Sequence, residues 1–173
     1  MSLELDNLIC MLRYYLRADT ALLSIIDDAN DRQIFRSHSG LLPQYETKPE
    51  TPLSHSFCLK VRDTDAPLIV TDARYDPRFR DNPAIEALHV VSYLGAPIYA
   101  DGGPPVGAAC AISSKSRSWN WDEVEFVQSV AKVLTGLLRY PDTSYQTETA
   151  ARSSSRFRSA FSPDIFTAPL CST

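Results

Sequence analysis

Leu5, Leu8, Ile9, Leu12, Tyr15 and Leu16 recur at three- and four-residue steps, which predicts an amphipathic helix over about residues 3–17. Residues 21–27 are β-rich and mostly apolar, the pattern of a buried central strand. Asp28-Ala29-Asn30-Asp31 supplies turn chemistry, and residues 33–39 then alternate up to Gly40, so the two segments predict a hairpin. Residues 41–52 carry Pro43, Pro49 and Pro52 and read as a loop. Ser54 is placed to cap a short helix running through Val61 and ending near Asp63. A short strand over residues 68–71 follows, then an irregular loop over 72–83, with Pro83 opening a short helix to Leu88. Residues 90–99 and 106–113 form the clearest strand pair, joined by Asp101-Gly102-Gly103-Pro104-Pro105. Asn120 followed by Glu123 resembles a capping box. Behind it, Val124, Val127, Val130, Ala131, Leu134, Leu137 and Leu138 make one apolar stripe that should stop before Pro141.

Strands clustered between two long helices predict an α+β fold with an antiparallel sheet. The expected organisation is an N-terminal helix over 1–18, a domain over 19–140 and a tail over 141–173. The tail is rich in Ser and Thr, shows no apolar period and is expected to be disordered. Phe157, Phe161 and Phe166 offer anchors for a docking partner, against the plainer reading of a solvated tail.

The 173 residues suffice for one domain, and chains near this size bury roughly 70% of their unfolded surface. Apolar content of 44% and charged content of 22% are ordinary for globular proteins. The net charge of −4 removes a basic nucleic-acid footprint and gives no reason for binding anionic membranes. No stretch approaches the ~20 apolar residues of a membrane span. Glu4, Asp6, Arg13 and Arg17 interrupt the first helix, unlike a signal peptide. A cytoplasmic protein is therefore expected. Cys10, Cys58, Cys110 and Cys171 are far apart without a C-x-x-C pair, so buried free thiols are expected, with a Cys58–Cys110 bridge left open.

Chemistry concentrates between Ser56 and Pro97. Asp72 follows a strand and reads either as a carboxylate at a pocket rim or as a loop staple accepting from backbone N–H groups. Arg74 and Arg78 suit an anion in fork geometry, or pairing with nearby Asp76 and Asp81. Phe57, Tyr75, Phe79 and Tyr93 are candidate pocket walls or core. Cys58 stands near a helix start, where a thiol pKa can fall; the alternative is structural burial. Cys110 lies mid-strand between alanines and reads as core. His38, His55 and His89 lack ligand spacing. Ser54-His55-Ser56 is not expected to act as a nucleophile–base set, because neighbours in sequence do not face each other and no G-x-S-x-G turn is present.

Several pieces, taken in order, resemble the GAF domain family of bacterial sensor kinases and cyclic-di-nucleotide enzymes. They are Ser56-Phe57-Cys58, Asp72-Ala73, Asp76-Pro77-Arg78-Phe79, Asn82-Pro83, Tyr93-Leu94-Gly95-Ala96-Pro97, Gly107 to Ile112, and Trp119 with Asp122-Glu123. The resemblance runs from Ala21 to Leu138. It implies a central antiparallel sheet of five or six strands, with the terminal helices on one face and pocket loops on the other. Phe57, Cys58, Asp72, Arg74, Phe79, Asn82 and Tyr93 are the candidate pocket residues. Two places depart from the family pattern. Val91-Ser92 stands where Arg often precedes the Tyr-Leu-Gly strand, and Ser113 stands where Asp often follows the Gly107–Ile112 strand. The first removes an anion-holding group.

The family commonly dimerises through its terminal helices and binds cyclic nucleotides, bilins, haem or small metabolites. The expectation is thus a non-enzymatic sensor of an unidentified small molecule, forming a homodimer and signalling through its geometry or a partner in trans. The ligand or cofactor is not named by the sequence. A ligand-free dimerisation scaffold is the alternative. A lesser one is a thiol-dependent free methionine sulfoxide reductase, against which stands the lone Cys58 between Lys48 and Val91. Haem through His89 is a family-level possibility. A bilin chromophore is not expected, since no Cys lies beside His89 and the Asp76–Phe79 run holds Arg instead of Cys.

Overall fold

Thr20–Asp27 (β1) and Arg32–Ser39 (β2) form the predicted hairpin. A single 3-10 turn, Asp28–Asn30, joins them, and Asp31 closes it with φ 51°, the left-handed geometry that Asp tolerates. In this computed structural model residues 3–100 and 102–139 are described. The expected tail, with its three phenylalanines and Cys171, lies outside them.

The first helix, Leu3–Leu16 (α1), precedes the hairpin. After it come Glu50–Pro52 (β3), Cys58–Thr64 (α2), Leu68–Val70 (β4) and Ala84–Ala87 (α3). Ser92–Tyr99 (β5), Pro105–Ser113 (β6) and Trp121–Arg139 (α4) complete the order. The six strands form one antiparallel sheet in the order β3-β2-β1-β6-β5-β4. This is the α+β architecture expected.

Both faces of the sheet are covered, and strand alternation divides the core in two. Leu23, Leu94, Ala96, Ile98, Ala109 and Ala111 face α1 and α4. Leu5, Ile9, Leu12 and Leu16 of α1 meet Val124, Val127, Val130, Ala131 and Leu134 of α4 there. The alanines of central β6 let the helices approach closely. Tyr15, expected in the apolar stripe, is exposed and stacks on Phe126 with ring centroids 3.9 Å apart. Leu22, Tyr93, Ala108, Cys110 and Ile112 point the other way, into a second core closed by α2, α3 and the loops.

Arg117 locks the helix layer. It donates to the Leu16 carbonyl at 2.7 Å, pairs with Glu123 and lies 3.9 Å over the Trp119 ring. The capping box is present: Glu123 N–H donates to Asn120 Oδ1 and Asn120 N–H to Glu123 Oε2, each at 2.9 Å.

Two local expectations are corrected. The loop over 41–52 contains β3, a three-residue edge strand held by Arg32, which pairs with both Asp27 and Glu50. So short a run, ending in Pro, carries no alternation to detect. The helix placed from Ser54 begins instead at Cys58, and Ser56 Oγ accepts the Leu59 N–H at 2.9 Å. Ser54 sits in a 3-10 turn, Leu53–His55.

Candidate functional site

On the face of the sheet opposite α1 and α4, the inward side chains of β1, β5 and β6 form a floor roofed by α2 and the segment before β5. Leu22, Tyr93, Cys110 and Ile112 make that floor, and Phe57, Cys58, Leu88 and Val90 close over it. The cavity, partly open to solvent, holds about 10 Å³, close to the room one water needs. Gln33 and His55 are its remaining lining residues, and His55 is half-buried.

Two thiols and a phenol meet at the floor. Cys58 Sγ lies 3.3 Å from Tyr93 Oη and 3.7 Å from Cys110 Sγ. Cys58 is the first residue of α2, and Cys110 is the middle of β6, so a helix and a strand deliver the pair. Both are free and buried. The Cys110 thiol, hydrogen-bonded to Cys58, lowers the Cys58 pKa; burial opposes this, and Tyr93 and Ser24 add to it. Cys110 is pushed well up by the same contact with Cys58 and by burial. Burial first, then the two cysteines, raise the Tyr93 phenol well above its ordinary value. Cys10 departs from the free-thiol expectation, being disulfide-bonded.

A polar cluster borders this floor. Gln33 Oε1 accepts from Ser56 Oγ at 2.6 Å and from Ser24 Oγ at 3.1 Å, while Gln33 Nε2 donates to Thr51 Oγ1 at 2.7 Å. All four residues are buried. The sequence reading passed over Gln33. Its parity with Phe35, which puts both on one face of β2, was the available signal. The register shift opposite Leu23 and Ser24 turns Ser37 to the other face, where its hydroxyl donates to Asp6 of α1 at 2.6 Å.

Of the predicted site residues, Phe57, Cys58 and Tyr93 line the cavity. Phe79 packs behind them, stacked on Phe57 with centroids 4.3 Å apart. Asp72, Arg74 and Asn82 are not among the lining residues. Asp72 accepts from Arg74 Nε at 2.9 Å, from Arg74 Nη2 at 2.6 Å and from the Arg74 backbone N–H at 3.1 Å. The next four residues repeat the arrangement: Asp76 takes the same three donors of Arg78 at 3.0, 2.6 and 2.9 Å. Each Arg holds its Asp carboxyl below the ordinary carboxylate value. Asn82 Oδ1 accepts the Ala84 N–H at 2.9 Å and so starts α3. These groups staple the loop.

His89 is exposed, with φ 53°, and does not line the cavity. Ser54 Oγ and His55 Nδ1 do meet, at 3.1 Å, contrary to the expectation for sequence neighbours, but the contact is exposed. Among the described residues no cluster of three His, Cys, Asp or Glu side chains is placed to hold a metal ion.

A six-stranded antiparallel sheet with terminal helices on one face and a small loop-covered cavity on the other defines a two-faced α+β module. The family model described as GAF domain matches residues 2–136, so the chain belongs to the GAF domain family, and the match takes in α1. A cyclic di-GMP phosphodiesterase of Pseudomonas aeruginosa is 36% identical over 104 residues, covering 60% of this chain and 16% of that protein. The chain thus spans less than a fifth of that relative. Among solved structures, the GAF domain of a phosphoenolpyruvate-protein phosphotransferase from Coxiella burnetii is 20% identical with a TM-score of 0.63, covering 86% of this chain and 84% of that one. A free methionine-R-sulfoxide reductase from Neisseria meningitidis, in complex with its substrate, is 19% identical with a TM-score of 0.60, covering 76% and 74%. At those identities the likeness speaks to the fold.

Proposed function

We propose that the chain is a small-molecule-sensing module of intracellular signal transduction, without catalytic turnover, whose output passes through homodimer geometry or a partner in trans. One observation carries the reading. The cavity floor and the seat of the terminal helices are opposite faces of the same strands: Tyr93 lines the cavity, while its neighbour Leu94 packs in the helix-side core. A ligand that displaces Tyr93 would move β5 under α4. The outer helix surface supports pairing between copies, since Leu3, Met11, Tyr14, Tyr15, Trp121 and Val133 are all exposed. The relative that degrades cyclic di-GMP supports a regulatory setting of that kind. A cytoplasmic site of action, without nucleic-acid or membrane partners, belongs to the same proposal; among the described residues no helix is long and apolar enough to cross a membrane.

Native mass spectrometry of protein purified gently from its own host tests this. A dimer carrying a stoichiometric extra mass, lost on cavity-filling Val90→Phe, is the expected result. A dimer without added mass, with no thermal shift across a metabolite panel, would favour the scaffold reading instead. The cavity volume of about 10 Å³ is the observation on that side, since drug-sized ligands take roughly 300 Å³ or more. The same volume disfavours methionine sulfoxide as a substrate.

A further inference from the structure

The paired thiols under the cavity serve no purpose in the ligand reading, yet they are the most reactive chemistry on that face. We infer that Cys58 and Cys110 form a peroxide-responsive dithiol that closes to a disulfide within one chain. Four observations converge. The sulfurs are 3.7 Å apart and both free, on elements 52 residues apart in sequence. Both line a cavity of about 10 Å³, which suits an oxidant little larger than water. The half-buried His55 also lines that cavity. Finally, the contacts at Cys58 divide the roles: Tyr93 Oη and the Cys110 thiol both lie within hydrogen-bonding reach of its sulfur, where they favour the thiolate.

The chemistry uses a hydroperoxide as co-reactant. The Cys58 thiolate attacks one peroxide oxygen, the O–O bond breaks, and hydroxide leaves and is protonated to water. Cys58 becomes a sulfenic acid. The Cys110 sulfur, losing its proton, then attacks the Cys58 sulfur; the S–S bond forms, the S–O bond breaks and a second water leaves. Two thiols lose two electrons, and hydrogen peroxide is reduced to two waters. The sulfurs close from 3.7 Å to about 2.05 Å, so α2 is drawn toward β6 and Tyr93 Oη loses its thiol partner. The inference rests on the sensory reading only for its output; the bond formation does not need it.

The full chain is treated with hydrogen peroxide in modest molar excess, alkylated under denaturing conditions and mapped by peptide mass spectrometry, which separates Cys10 and Cys171 from the pair. The expected product is a peptide joining Cys58 to Cys110, formed at least about tenfold faster than with cumene hydroperoxide, which is too bulky for the cavity. In Cys110→Ala, oxidation should halt at a Cys58 sulfenic acid that dimedone traps. Wild-type protein with no joined peptide, whether Cys58 stays reduced, stops at sulfenic acid or pairs elsewhere, overturns the inference without reference to any variant. The joined peptide with no extra mass in the native spectrum leaves the dithiol standing and removes the ligand; the reverse pattern does the opposite.

Discussion

Tyr93 lies flat over Gly95: a Cβ at Gly95 would stand 2.4 Å from Tyr93 Oη and 2.8 Å from two ring carbons. Both residues point to the cavity face of β5, so the missing side chain is what lets the ring lie along the strand and bring its hydroxyl to Cys58. The Tyr-Leu-Gly run is thus one unit. Gly95→Ala is expected to cost about 1–3 kcal/mol in urea unfolding, because the buried ring has nowhere to retreat. It should also change the near-ultraviolet circular dichroism of the tyrosines.

Gly107 answers to backbone instead. A Cβ there would fall 1.9 Å from the Ser24 carbonyl oxygen, beside the register shift between Leu23 and Ser24 in β1. A carbonyl in the central strand pair yields less than a side chain. Gly107→Ala should therefore destabilise by about 3 kcal/mol or more, beyond Gly95→Ala. Equal or smaller cost in the same titration would contradict this.

Gln33 and Ser92 make a contrasting pair. Gln33→Leu deprives Ser24, Ser56 and Thr51 of their partner inside the core and is expected to cost about 2–4 kcal/mol. Ser92 Oγ is, among the described residues, the buried side-chain oxygen or nitrogen without a hydrogen bond. Ser92→Ala should leave stability unchanged or raise it by up to about 1 kcal/mol. Thermal melts of the two variants should move in different directions or differ by several degrees.

Asp19 links the start of β1 to the chain after β6. Its carboxylate accepts from Ser114 N–H at 2.7 Å and Ser114 Oγ at 2.8 Å. The backbone bond from Ser114 is the main cause of a pKa below the ordinary 3.8; burial opposes it, and the Ser114 and Ser113 hydroxyls and Lys115 assist. A depressed folded pKa means the stabilisation is complete above 3.8 and is lost as pH falls through the folded value. Asp19→Asn should therefore melt lower than the parent at neutral pH, with the gap closing below about pH 3–4. A gap independent of pH would show that the charge is not what matters.

Periodicity found the parts of the fold that span several turns or several alternations. The apolar stripes of α1 and α4 and the β1–β2 and β5–β6 hairpins fall within two residues of their predicted bounds. β3 escaped because three residues cannot alternate. α2 was displaced because Ser54 and Ser56 are equally good caps on paper, and only the chain path decides which hydroxyl meets an N–H. At the site, Phe57, Cys58 and Tyr93 were legible from their motifs. Gln33 was not, and Cys110 read as core with a bridge to Cys58 only left open, since their meeting with Ser56 and Cys58 depends on strand pairing across the sheet. Asp72 and Arg74 illustrate the converse: a charged pair two residues apart satisfies itself locally before it can serve a pocket.

The two central strands of the sheet come from opposite ends of the domain. Thr20 of β1 faces Ile112 of β6, with every cavity-building segment strung between them. Each flanking hairpin closes locally, on the order of microseconds for such elements. Joining them must wait until the whole intervening chain is made and looped back, at an entropic cost that grows with its length. The domain should therefore fold as one slow cooperative step, in the millisecond-to-second range of non-local β pairing. A nascent chain lacking β6 would have a sheet with no middle, so the thiol pair and the seat of the terminal helices come into being together.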